Sequence, residues 1–111
     1  MAKTESFKIL AQANPASATY TDILTASAST EYLISSLIVT NLAATDGTYR
    51  IALRENGAAR QNKHFIAYDS VVPGNDSIGL TLGLTINDAD IMTVYASTAS
   101  IAFGVFGSEI V

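Results

Sequence analysis

Ile78-Gly79-Leu80-Thr81-Leu82-Gly83-Leu84-Thr85-Ile86 is the stretch that decides the fold class. Branched aliphatic residues alternate with glycine or threonine, and a period of two sends the two sets to opposite sides of an extended chain. A helix would scatter the same residues around its axis. The stretch therefore predicts a strand with Ile78, Leu80, Leu82, Leu84 and Ile86 on one buried face. The other face is nearly bare at Gly79 and Gly83, so a neighbour can approach closely there.

The segments around it read the same way. Tyr49, Ile51 and Leu53 alternate with Arg50, Ala52 and Arg54, which predicts a half-buried strand with its cations outward. Residues 33–42 (LISSLIVTNL) are β-branched and rich in serine and threonine, as central sandwich strands are. Further strands are predicted over 20–25, 64–72, 91–97 and 101–106. Asp46-Gly47 and Asn56-Gly57 are hairpin-type turn dipeptides, and Pro73-Gly74 suits the centre of a type II turn. Asn87-Asp88 follows the long alternating strand, and residues 97–100 separate the last two. Residues 57–63 (GAARQNK) have room for only a short helix. Turn signals at strand-length spacing without a helical period predict an all-β chain, a single antiparallel β-sandwich of Ig-like or jelly-roll-like kind.

The N-terminus differs. Residues 12–18 (QANPASA) are small and polar around Pro15, with no sustained period, and Phe7, Ile9 and Leu10 form a short apolar patch ahead of them. Two readings stand: an extended N-terminal arm over residues 1–18 with the sandwich over 19–111, or an ordinary first strand around residues 7–11. On the arm reading Phe7, Ile9 and Leu10 are partner-binding residues, because such arms add a strand to a neighbour's sheet edge. An extended segment of this length reaches up to ~60 Å.

Composition narrows the function. The chain has 111 residues, a net charge of −4, 14% charged residues and no cysteine. An average soluble protein carries about 25% charged residues, so this one presents an unusually neutral surface. Six cations cannot build the basic patch that phosphate neutralisation needs, so nucleic acid is not an expected partner. Without cysteine there is no disulfide framework, thiolate nucleophile or sulfur-based zinc site. No run approaches the ~18 apolar residues of a membrane helix, and the start lacks the apolar core of a signal peptide. A chain made in the cytoplasm, with no membrane partner, is expected. The sequon-like Asn75-Asp76-Ser77 is then a chance match.

Candidate chemistry is sparse. His64 is the only histidine, and although Asp69 and Ser70 are near in sequence, an odd separation along a strand turns His64 and Asp69 to opposite faces. Asp88 and Asp90 could offer oxygens to calcium, but turn capping explains Asn87 and Asp88 equally well, and the Gly and distal Glu of an EF-hand are missing. Gly79 and Gly83 lack the lysine and spacing of a phosphate loop. Tyr20, Tyr32, Tyr49, Tyr68 and Tyr95 fall about one per strand, as core-packing tyrosines with wet hydroxyls do, while an exposed row of them could hold sugar or protein. No catalytic residue, cofactor or metal is expected.

The order of segments itself is informative. Residues 35–53 (SSLIVTNLAATDGTYRIAL) and 63–110 (KHFIAYDSVVPGNDSIGLTLGLTINDADIMTVYASTASIAFGVFGSEI) resemble a family of small tailed-bacteriophage virion proteins. The family pattern has a TYRIA strand, here residues 48–52, and a YD…NDS turn, here 68–77. It continues with an LTLGLT…D…VYAS block, here 80–97, and a closing FGxEI phrase within 102–110. Residues 57–63 and the N-terminal segment match only loosely. The resemblance implies a non-enzymatic virion structural protein. The first expectation is a head decoration (cement) protein on the capsid exterior, bound to the major capsid protein and to other copies of itself, a trimer being one such homo-oligomer. The alternative is a tail, fibre or adaptor component with receptor or glycan contact. A carbohydrate-binding or enzymatic domain of another kind is the third. A cement protein bridges neighbouring shell subunits and stabilises the assembled state by mass action.

Overall fold

The chain pairs as one long hairpin rolled up on itself. The structure, a computed structural model, describes residues 3–111; Met1 and Ala2, the first residues of the expected arm, lie outside the described residues. Its strands are β1 (Glu5–Ala13), β2 (Thr21–Thr25), β3 (Glu31–Asn41), β4 (Gly47–Arg54), β5 (Phe65–Val72), β6 (Asp76–Asn87), β7 (Ile91–Ala96) and β8 (Ile101–Ile110). β4 pairs with β5, β3 with β6, β2 with β7 and β1 with β8, all antiparallel. Rolling then sets β3 beside β8 and β4 beside β7. The result is two four-stranded sheets, ordered β1-β8-β3-β6 and β2-β7-β4-β5. That order is a jelly roll, and it decides between the two sandwich types the sequence left open.

The core lies between the sheets. Ile34, Leu37, Val39, Ile101, Phe103 and Val105 come from the first, and Tyr49, Ile51, Val72, Met92 and Val94 from the second. β6 alternates as its sequence predicts, with Ile86 buried and Ile78, Leu80, Leu82 and Leu84 half-buried against the core. They are only half-buried because β6 is the last strand of its sheet. Asn41, 1% exposed, ties the strand ends together. Its amide nitrogen donates to the Thr45 carbonyl at 2.8 Å and the Val72 carbonyl at 3.1 Å, and its oxygen accepts the Ala43 N–H at 3.0 Å.

The arm expected over residues 1–18 is corrected by the fold. Residues 5–13 are β1, an edge strand antiparallel to β8 from Glu5↔Ile110 to Ala13↔Phe103, closer to the reading of an ordinary first strand. Leu10 and Ala11 pack against the core, and ladder hydrogen bonds hold the rest. The polar stretch after it is also pinned. The Asn14 amide donates to the Ala99 and Ile101 carbonyls, each at 2.9 Å, and Pro15 is buried.

Three turn expectations change as well. Asp46-Gly47 joins β3 to β4, which belong to different sheets, so it is a sheet crossing and not a hairpin. At Pro73-Gly74 the left-handed residue is Asn75, with φ 54, and Gly74 serves a close approach instead. A Cβ there would sit 2.3 Å from the Ala44 carbonyl oxygen. Asn56 and Gly57 do adopt left-handed φ of 51 and 67, but inside a 3-10 turn (Glu55–Gly57) of the longer β4–β5 connection. His64 closes a second 3-10 turn (Asn62–His64) and is not in a strand.

Candidate interaction surfaces

The outer face of the β1-β8-β3-β6 sheet carries no charge across its middle. The registers define four rows: Phe7–Ser108–Leu33–Thr85, Ile9–Phe106–Ser36–Thr81, Gln12–Gly104–Ile38–Gly79, and Ala102–Thr40–Ser77. An acidic row with Glu5 and Glu31 borders them, and Lys3 pairs with Glu31 at 3.2 Å. Phe7 is 83% exposed and Ile9 55%, while Leu33 and Ile38 also reach solvent. At Gly104 a Cβ would meet the Phe106 ring at 3.0 Å, so glycine lets that ring lie close to the sheet. Beside it is a shallow depression of about 190 Å³, lined by Gln12, Ile38, Thr40, Ala102 and Phe106. From strand and residue spacing the four rows cover roughly 20 by 27 Å. Exposed apolar patches of several hundred Å² mark interaction sites.

Of the residues the sequence offers for partner binding, Phe7 and Ile9 share this face. Leu10 does not. A register shift between Ile9 and Ala11 turns it to the core side. Leu33, Ile38 and Phe106 also stand on this face but could not be picked out from the sequence, because a mostly apolar strand run conceals which of its residues point outward.

The other sheet presents different chemistry. Arg50 is held by Asp69 at 2.7 and 3.3 Å and by the Tyr20 hydroxyl at 2.7 Å, and it stacks between Tyr68 and Tyr95, 4.1 and 4.4 Å from their ring centroids. Tyr20 and Tyr95 stack at 4.7 Å, Phe65 meets Tyr68 edge-on at 4.9 Å, and Arg60 lies 3.4 Å over Tyr20. Two β5 residues, Tyr68 and Asp69, stand against Arg50 alone, a bulge with Asp69 at φ 50 that brings both side chains to Arg50. Hydrogen bonding to Arg50 holds the Asp69 carboxyl below its ordinary range, and the same pairing raises Arg50. Arg54 binds Asp22 at 3.0 and 3.1 Å, with Thr93 bridging the two. Among the described residues Arg60 is the one cation without a carboxylate partner. All five tyrosines were expected to pack against the core; Tyr49 is buried there and Tyr32 packs against it, but Tyr20, Tyr68 and Tyr95 build this outer platform.

The residues weighed for catalysis or metal stay apart. His64 is buried, and its Nδ1 accepts the Gln61 N–H at 2.9 Å, which leaves the proton on Nε2 without a partner among the described residues. Asp90 caps turns, its two oxygens accepting the Asn56 and Asn87 N–H groups at 2.7 and 3.1 Å. Among the described residues no three His, Asp or Glu groups come together as a metal site.

The sandwich resembles part of a virus-particle chain. It superposes on a chain of the T13 infectious bursal disease virus particle with a TM-score of 0.57 and 11% identity, over 98% of this chain and 30% of that one. Against the infectious bursal disease virus Gt strain the TM-score is 0.50 at 10% identity, over 97% and 31%. The chain thus spans about a third of the length of those it matches, and the likeness is one of fold. No protein family matches the sequence, and no curated protein does.

Proposed function

We propose that this chain is a non-enzymatic virion structural protein, a head decoration (cement) protein on the capsid exterior, made in the host cytoplasm. Its partners on this reading are a phage major capsid protein and other copies of itself. The observation that carries it is the uncharged outer face of the β1-β8-β3-β6 sheet with Phe7 and Ile9 standing out of it. The jelly roll shared with a virus-particle chain and the tailed-phage resemblance of residues 35–53 and 63–110 support the class. A standard interface buries about 800 Å² per partner, more than this face alone supplies, so rim residues such as the exposed Leu42 belong to the contact. Seated across two shell subunits, each copy stabilises the assembled state by mass action.

The experiment is to mix the protein with undecorated particles and measure occupancy after sedimentation. Phe7→Ser with Ile9→Ser should lower affinity by about tenfold or more, as loss of central apolar anchors does, without unfolding the domain. Undiminished occupancy by that variant refutes the assignment of the face. The tail, fibre or adaptor reading rests on the Arg50–Tyr68–Tyr95 stack, whose exposed ring at Tyr68 could hold a glycan. Glycan binding abolished by Tyr68→Ala, with no affinity for shells, would favour it.

A further inference from the structure

The free edge of β6 is unlike the other sheet edges. β1 carries Lys8, Glu5 and a register shift, β2 is five residues long with a shift after Asp22, and β5 is bulged at Asp69 and followed by Pro73. These are the devices that keep edges from pairing with another chain. β6 is the longest strand at twelve residues, and it has no charge and no proline from Ser77 to Asn87. Its one irregularity is in the ladder to β3, where Leu82 and Gly83 stand against Ser35, and its own in-and-out alternation runs through unbroken. Ile78, Leu80, Leu82 and Leu84 remain half-exposed beside the unpaired main chain. In the facing sheet β5, also an edge strand, exposes Ile66 and Val71.

The sequence of this edge is nearly symmetric about Leu82. Laid antiparallel against a second copy with Leu82 opposite Leu82, it sets Leu80 against Leu84, Ile78 against Ile86, Thr81 against Gly83 and Gly79 against Thr85. Every pair on the core side is aliphatic on aliphatic. The outer pairs Thr81–Gly83 and Gly79–Thr85 each set a threonine against a glycine, at which a Cβ would have nothing within 4 Å. A twofold interface needs one patch to complement itself, and this strand does so by sequence.

We propose that β6 pairs with β6 of a second copy across a twofold axis at Leu82, joining two sheets into one of eight strands, β1-β8-β3-β6-β6-β3-β8-β1. The absence of charge removes like-charge repulsion from the seam despite the net −4 of each chain. Asp76 and Asp88 of opposing copies meet at either end of the ladder, so added salt strengthens the pairing. Closure as a dimer also buries an edge that would otherwise template open-ended growth. The inference concerns the free protein and stands whether or not it binds a capsid.

Sedimentation velocity of the full chain without particles is the test. The wild type should be a dimer, and more so at high salt. Thr81→Lys with Gly83→Lys puts lysines directly opposite each other at two places and should weaken the dimer by about tenfold or more. Thr81→Glu with Gly83→Lys sets opposite charges across the same pairs and should restore it. Because the chain has no cysteine, Thr81→Cys with Gly83→Cys should form disulfide-linked dimers on oxidation, which checks the register should the lysine variant not fold. A monomeric wild type, a lysine variant that stays dimeric and folded, or a cysteine variant that gives no linked dimer would each overturn the proposal.

Discussion

Replacing Asn41 with alanine should destabilise the domain far more than its polar identity in a strand suggests. The side chain is 1% exposed and makes three hydrogen bonds, to Thr45, Val72 and Ala43, that tie the end of β3 to the β3–β4 loop and to β5. Each bond contributes about 1 kcal/mol net, and a buried acceptor left unpaired costs about 1–3 kcal/mol more. The Thr45 carbonyl, in an exposed loop, regains water when Asn41 is cut back, but Val72 is fully buried and its carbonyl does not. The loss is therefore about 4–6 kcal/mol, out of the roughly 5–15 kcal/mol that holds a domain together. At about 4 °C per kcal/mol for a domain this size, the melting temperature should fall by about 16–24 °C. Asn41→Asp should do at least as much damage, since it faces two carbonyls with a carboxylate that has nothing to donate. Thermal unfolding followed by circular dichroism measures both. A shift under about 3 °C for the alanine variant would refute the claim that this network holds the loops.

Three further outcomes follow from the same structure. Leu82→Ala should cost about 2 kcal/mol, the low end for a leucine, because its side chain is only half-buried; denaturant unfolding reads it. Asp90→Ala should cost about 1 kcal/mol through lost turn caps, and calcium should shift the melting temperature of neither wild type nor variant. Asp69 and Glu109 both titrate below their ordinary values in the fold, because Arg50 and Lys8 respectively hydrogen-bond to their charged forms. Stability from these pairs is thus present above the ordinary carboxylate pKa and lost as pH falls through the depressed values. Melting temperature should fall below about pH 4, and less so in Asp69→Asn.

What could be read from the sequence was whatever depends on neighbours within a strand. The alternation of 78–86 gave β6 and its inward face, and 49–54 gave β4 with Arg50 and Arg54 outward. Topology was hidden because each defining pair, β1 with β8 above all, joins residues far apart in the chain. β1 was ambiguous for a physical reason. It exposes Phe7 and Ile9 while a register shift turns Leu10 inward beside the small Ala11 and Ala13, so its apolar residues fall on both faces and show no single buried side. The arginine–tyrosine platform was out of reach because Tyr20, Arg50, Tyr68 and Tyr95 converge from four separate segments.

Electron microscopy of intact particles is the decisive test of the decoration role. Copies of the sandwich should be spread over the shell lattice, each with Phe7 and Ile9 turned towards the capsid and the Arg50–Tyr68–Tyr95 platform turned to solvent. Density confined to the tail, or shell-bound copies with Phe7 facing away from the shell, would contradict it.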